Sequence, residues 1–172
     1  MQKRPSFSFH RSCGQYRGKL KDIILLYKYR KYRVLGKDLA QFIYWSMGRE
    51  NSLWQGVEII IPVPLHPKRK RQRGFNQAQV LAYHLAKRRG IELVKKVLVK
   101  TRNTPPQTLL EVDERQKSVK GAFDVSGKEK IAGKIVLLVD DVFTTGATIQ
   151  ECSRILKSVG AKEIRALTLA QA

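Results

Sequence analysis

Acidic residues are scarce in this chain. Fourteen Asp and Glu stand against 34 Lys and Arg over 172 residues, a formal net charge of +20. A field of that sign draws polyanions, whether nucleic acid, acidic membrane or phosphorylated small molecules, and net charge alone does not choose among them. Cysteine is nearly absent. Two residues cannot supply a four-ligand zinc site and do not form a disulfide framework, so zinc is not expected. Cys152 falls on an apolar helical stripe and reads as packing. Cys13 lies in a polar segment near His10, with nothing to complete a ligand set. No apolar run approaches the ~20 residues of a membrane helix, and the basic N-terminus has no apolar core of a signal peptide. The expectation is a cytoplasmic protein without membrane insertion.

Apolar residues make up 42%, enough for a packed core. The reading is a flexible tail over residues 1–15, a helical segment over 16–56 and an α/β core over 57–172. Leu20, Ile23, Ile24 and Tyr27 mark one helix face, and Leu35, Leu39, Phe42 and Ile43 a second. Lys19, Lys28, Arg30 and Arg33 are interleaved there with aromatics such as Tyr32. Cations mixed with aromatics suit single-stranded DNA, where bases stack and phosphates are neutralised. An amphipathic helical hairpin with a basic polar face fits the same residues.

From Glu58 a strand runs to the prolines at 62 and 64. A loop dense in cations follows, with Lys68, Arg69, Lys70, Arg71 and Arg73. Asn76 then caps a helix with Ala78, Leu81, Ala82 and Leu85 inward and Gly90 at its stop. Cations at the carboxyl end of a buried strand sit at the ligand edge of an α/β sheet, which favours an anion loop over a merely solvated run. A strand over Val94–Val99 precedes a long polar connection that includes Thr104, Gln107, Arg115 and Lys117, the pattern of a flexible functional loop. A short strand over 122–125, a strand over 135–139, a helix ending at Gly160 and a last strand over 164–170 complete an α/β alternation with a mostly parallel sheet.

Val136-Leu137-Leu138-Val139-Asp140-Asp141-Val142-Phe143-Thr144-Thr145-Gly146-Ala147-Thr148 is the centre of this pattern. A buried strand ends in two carboxylates, and a loop of hydroxyls and backbone N–H groups leads into a helix. The carboxylates can accept from a sugar diol, and the loop with its helix N-terminus suits a phosphate. Neither a Walker A loop nor a dinucleotide glycine fingerprint is present. His84 reads as structural, and no general base is identifiable.

That stretch closely resembles the 5-phosphoribosyl 1-pyrophosphate (PRPP) signature of type I phosphoribosyltransferases. Ile61-Pro62-Val63-Pro64-Leu65-His66-Pro67, Arg73-Gly74-Phe75-Asn76-Gln77-Ala78, Thr104-Pro105-Pro106-Gln107 and Gly121-Ala122-Phe123 together resemble the ComF family within that class. The resemblance implies a type I phosphoribosyltransferase-like fold and Mg²⁺ with PRPP as substrate. It implies Asp140 and Asp141 as the catalytic pair at the ribose hydroxyls, with Thr144, Thr145, Gly146, Ala147 and Thr148 around the 5-phosphate. The Lys68–Arg73 loop would meet pyrophosphate, and the segment after Thr101 would close over the site. It implies a role in DNA uptake during natural transformation, alongside a competence helicase or other uptake proteins. Whether the fold transfers a ribosyl group or serves only to bind single-stranded DNA stays open at this level. Family members commonly begin with a cysteine-rich zinc module, whose cysteine pairs are not in this sequence.

Overall fold

A computed structural model describes residues 5–29, 32–104 and 118–172. Strand β1 (Phe9–Ser12) is followed by helices α1 (Gly18–Tyr29), α2 (Leu35–Met47) and α3 (Asn51–Trp54), then strand β2 (Ile59–Pro62). Helices α4 (Pro67–Arg73) and α5 (Gln77–Arg89) lead to strands β3 (Glu92–Leu93), β4 (Leu98–Lys100) and β5 (Phe123–Val125). Strand β6 (Ile135–Phe143), helix α6 (Ala147–Ser158) and strand β7 (Glu163–Gln171) complete the chain.

Five strands form one sheet in the order β1-β7-β6-β2-β3, and every pairing in it is parallel. β4 and β5 make a separate antiparallel ribbon. The apolar run of β6 follows from its burial on both faces. Val136 and Leu138 pack with Ile149, Cys152, Ile155 and Leu156 of α6. Leu137 and Val139 point the other way, into a cluster with Ile24 and Tyr27 of α1, Leu39 and Ile43 of α2, and Leu81 and Leu85 of α5. The N-terminal helices therefore share a core with the sheet. α2 approaches α5 closely at Gly36, where a Cβ would lie 2.4 Å from Val80 Cγ1. Ile23 and Phe42, placed on apolar stripes by spacing, remain 38% and 39% exposed.

Four expectations change. Residues 9–12 are not a tail: β1 pairs with β7 from Phe9 opposite Arg165 to Ser12 opposite Thr168. An edge strand that is half-buried carries no apolar alternation to betray it. The cationic stretch after β2 is not a loop but α4. Pro67 stands at its first turn, the His66 side chain accepts from the Lys68 amide at 3.2 Å, and Gly74 ends it at φ +82°. Of the strand expected over Val94–Val99 only Leu98 and Val99 are strand, in β4; β3 ends before it at Leu93, and Lys96 at φ +66° lies between the two. β6 runs past Val139 to Phe143 because β7 continues beside it, pairing Val142 with Ala170 and Phe143 with Gln171.

Candidate active site

Because β6 continues through Asp140 and Asp141, strand alternation still governs the pair. Asp140 shares a face with Leu138 and Asp141 with Val139. Asp141 accordingly meets α1, where Lys28 Nζ lies 3.0 Å from its Oδ1. Asp140 is turned inward on its own backbone, its Oδ1 accepting from the Asp141 amide at 2.8 Å. Both line one cavity of about 160 Å³, together with Thr144 and Thr148. Thr148 lies in the first turn of α6, so hydroxyls and a helix N-terminus bound the cavity beyond the carboxylates. Gly146 sits at φ +76°, and a Cβ there would lie 2.5 Å from Phe143 Cζ. The turn thus needs glycine for two reasons, backbone conformation and space.

The same cavity also carries cations. Arg69 and Arg73, four residues apart and on one face of α4, line the cavity with Lys100 from the end of β4. Lys68, Lys70 and Arg71 face solvent. Arg69 Nη2 donates to the Thr104 carbonyl at 3.2 Å, and Lys100 Nζ donates to Thr104 Oγ1 at 2.8 Å. The Arg73 guanidinium lies 5.2 Å from the Tyr29 ring centre, and its Nη1 donates to Gln77 Oε1 at 3.3 Å.

The titration of these groups reflects their crowding. Burial, then repulsion from Asp141, pushes the Asp140 carboxyl up to about 7, against the opposing pull of Lys28 and Lys100. Burial lowers Lys100, and Arg69 and Arg73 add to the effect. Arg69 is lowered by burial and by Arg73. A cationic wall that repels itself is relieved by an anion between its members. Burial raises the Cys13 thiol to about 12 and Cys152 well above its ordinary value, which disfavours the thiolate at both.

The Phosphoribosyl transferase domain model matches residues 71–172. Competence protein F of Haemophilus influenzae is 30% identical over all of this chain and 76% of its own length. The chain belongs to the ComF family of type I phosphoribosyltransferases. Two further ComF relatives are DNA utilization protein YhgH of Escherichia coli K12 and competence protein ComFC of Streptococcus pneumoniae. The first is 26% identical over 96% of this chain and 73% of its own, the second 29% over 93% and 67%. Among solved structures, the purine phosphoribosyltransferase of Pyrococcus horikoshii matches with a TM-score of 0.49 and 19% identity, over 77% of this chain and 73% of that one.

Within this ComF chain the matched region takes in Arg73, Lys100 and the β6–α6 turn, while Lys28, Tyr29 and Arg69 lie before it. Of the residues expected at the site, Asp140, Asp141, Thr144, Thr148, Arg69 and Arg73 come together. Thr145, Gly146 and Ala147 build the turn behind that wall. The Thr145 hydroxyl is buried without a hydrogen-bond partner. Thr104, expected in a flexible loop, is instead buried and held by Arg69 and Lys100. Gln107, Arg115, Lys117 and Arg30 lie outside the described residues.

Of the residues offered for nucleic acid, the structure describes Lys19, Lys28, Tyr32 and Arg33. Lys28 is paired in the cavity, and Lys19 is exposed on α1. Tyr32 is exposed, and Arg33 lines a second, larger cleft of about 530 Å³ with Lys37, Lys95, Tyr83 and His84. Lys100, Gln77, Tyr16 and Tyr29 are site residues that spacing did not single out. Lys100 alone carried a usable signal, as a cation at the carboxyl end of a strand.

Proposed function

We propose that this cavity binds PRPP and that the protein transfers its ribosyl phosphate to an acceptor, as part of DNA uptake in the cytoplasm. The observation that carries the reading is that one cavity is lined both by Asp140 and Asp141 and by Arg69, Arg73 and Lys100. Two carboxylates suit the ribose hydroxyls. Thr144, Thr148 and the start of α6 suit the 5-phosphate, with the spare Thr145 hydroxyl beside them. Three cations suit the pyrophosphate, through charge-assisted hydrogen bonds.

In the reaction the bond from the anomeric carbon to the pyrophosphate oxygen breaks and the electron pair leaves with pyrophosphate. A lone pair of the acceptor forms the new bond, and the acceptor loses its proton. The cations stabilise charge on the leaving group. Mg²⁺ fits this donor set, since hard carboxylate oxygens with substrate phosphates and water are its usual ligands. Asp140 and Asp141 would hold it, and when bound it neutralises charge on the diphosphate. Among the described residues no larger cluster of metal-binding side chains occurs.

Thermal denaturation with millimolar PRPP and Mg²⁺ tests the binding. Stabilisation rising with ligand is expected, and an unchanged melting temperature overturns the reading. Pyrophosphate release across a panel of acceptors then tests transfer.

A second reading is single-stranded DNA binding, with a competence helicase or another uptake protein as partner. The second cleft favours it: Arg33, Lys37 and Lys95 stand beside Tyr83, with no salt bridge to any of the three cations among the described residues. Binding that weakens steeply between low and physiological salt is the expected result, and binding absent at low salt rejects it.

A further inference from the structure

Gln77 opens α5 at the seam between α4 and the carboxylate cavity, and it forms part of the cavity wall. It is only 2% exposed. Its main-chain carbonyl accepts from the Tyr27 hydroxyl at 2.9 Å, so the backbone here is anchored independently of the side chain. The side-chain Oε1 accepts from Arg73 Nη1 at 3.3 Å. A guanidinium only donates, so this contact requires the amide oxygen to face Arg73 and assigns the remaining position to the NH₂ group. That Nε2 is buried and has no hydrogen-bond partner.

A buried amide donor left unmade costs stability, and an apolar side chain of similar shape avoids that cost. Holding Arg73 does not explain the choice either. That task needs an acceptor alone, which a glutamate supplies with a stronger, charge-assisted bond. What glutamine adds over glutamate is the N–H donor, and the residue that carries it lines the cavity with Arg69, Arg73 and Lys100. A neutral donor contributes a hydrogen bond to an anion without placing a further positive charge beside Arg69 and Arg73.

We propose that Gln77 is a ligand-binding residue whose Nε2 donates to a diphosphate oxygen drawn in by Arg69 and Arg73, so that the oxygen is shared between guanidinium and amide. This inference rests on the PRPP reading above and adds to it a recognition element for the diphosphate end of the ligand. Gln77 contacts that end and leaves the 5-phosphate to the turn before α6.

The test compares the full chain with Gln77→Met and Gln77→Glu. Each is titrated calorimetrically with pyrophosphate, PRPP and ribose 5-phosphate in the presence of Mg²⁺, and each is melted without ligand. Gln77→Met is expected to melt at or above the wild-type temperature. It should lose about 10-fold in affinity for pyrophosphate and PRPP, the scale of one hydrogen bond to a charged group. Gln77→Glu keeps the acceptor for Arg73 but turns a carboxylate toward the anion, and is expected to lose more. Affinity for ribose 5-phosphate should stay within about twofold in both, since the donor does not reach that end. Unchanged pyrophosphate affinity in both variants overturns the proposal, as does an equal loss for ribose 5-phosphate. A loss of affinity that merely accompanies a lower melting temperature in both variants also overturns it, by making Gln77 a structural residue. A wild-type protein that binds neither pyrophosphate nor PRPP rejects the PRPP reading itself. The wild-type arm thus reads the function, and the variants read the residue.

Discussion

Lys28 Nζ lies 3.0 Å from Asp141 Oδ1, joining the last turn of α1 to the end of β6 with both side chains less than 15% exposed. A helix of the N-terminal segment thereby enters a cavity otherwise built by the sheet. Lys28→Met removes the counter-charge and leaves a shielded carboxylate alone. The expected loss is about 1–3 kcal/mol, between the values for exposed and fully buried pairs. Urea denaturation at pH 7 measures it, and a midpoint equal to wild type would show the pair to be worth nothing.

Asp140 gives the protein a pH dependence of defined sign. In the unfolded chain its carboxyl titrates near pH 4, whereas in the fold burial and Asp141 push it up to about 7. Folding therefore opposes its ionisation. The stability it contributes is fully present below about pH 4 and is lost as the pH rises through 7, with no further change above. Asp140→Asn removes this loss. Relative to wild type, the variant should gain stability between pH 5 and pH 8, and parallel curves for the two proteins would contradict the assignment.

The two faces of α4 should behave differently. Arg69→Ala and Arg73→Ala are expected to weaken pyrophosphate binding about 10-fold or more each, the scale of a hydrogen bond to a charged group. Lys70→Ala and Arg71→Ala, whose side chains face solvent, should change it about twofold or less at physiological salt, where exposed charges are screened. Titration calorimetry at fixed ionic strength separates the pairs. Equal effects would mean that charge alone, rather than placement, attracts the anion.

Gly146→Ala should damage the turn before α6. The substitution meets a φ of +76° and a Cβ position 2.5 Å from the Phe143 ring. Strain and overpacking together should lower stability by about 2–4 kcal/mol. A melting curve checks the stability, and PRPP titration at low temperature checks whether the turn still holds phosphate.

Much of the candidate site is legible in the sequence. The β6–α6 turn announces itself because a doubly buried strand leaves an unbroken apolar run, against which two carboxylates and a cluster of hydroxyls stand out. The cations after β2 were equally visible as a group. Their division into site and solvent faces was not, because it depends on Pro67 starting a helix that aligns Arg69 with Arg73. Lys28 lay in a stretch where cations are so frequent that no local feature separates it from Lys19. Only the packing of α1 across the sheet brings it to Asp141. Gln77 was hidden for a different reason: its meaning lies in a hydrogen bond that is missing, which no pattern of residue types encodes. β1 escaped because Phe9, His10, Arg11 and Ser12 show no alternation, and its partner β7 lies more than 150 residues away.

That edge strand reaches further than its four residues suggest. The His10 ring stacks on Phe143 with 4.0 Å between centres, Phe7 meets the same ring edge-on, and Phe143 is the side chain that closes the space over Gly146. Ser6 adds a tie to α6, its amide donating to Gln150 Oε1 at 2.9 Å. Phe7 and His10 thus brace the ring that packs against the turn before α6. A substitution at Ser6, Phe7 or His10 therefore reaches the turn before α6 through Phe143 and Gln150, from a stretch more than 130 residues away in sequence.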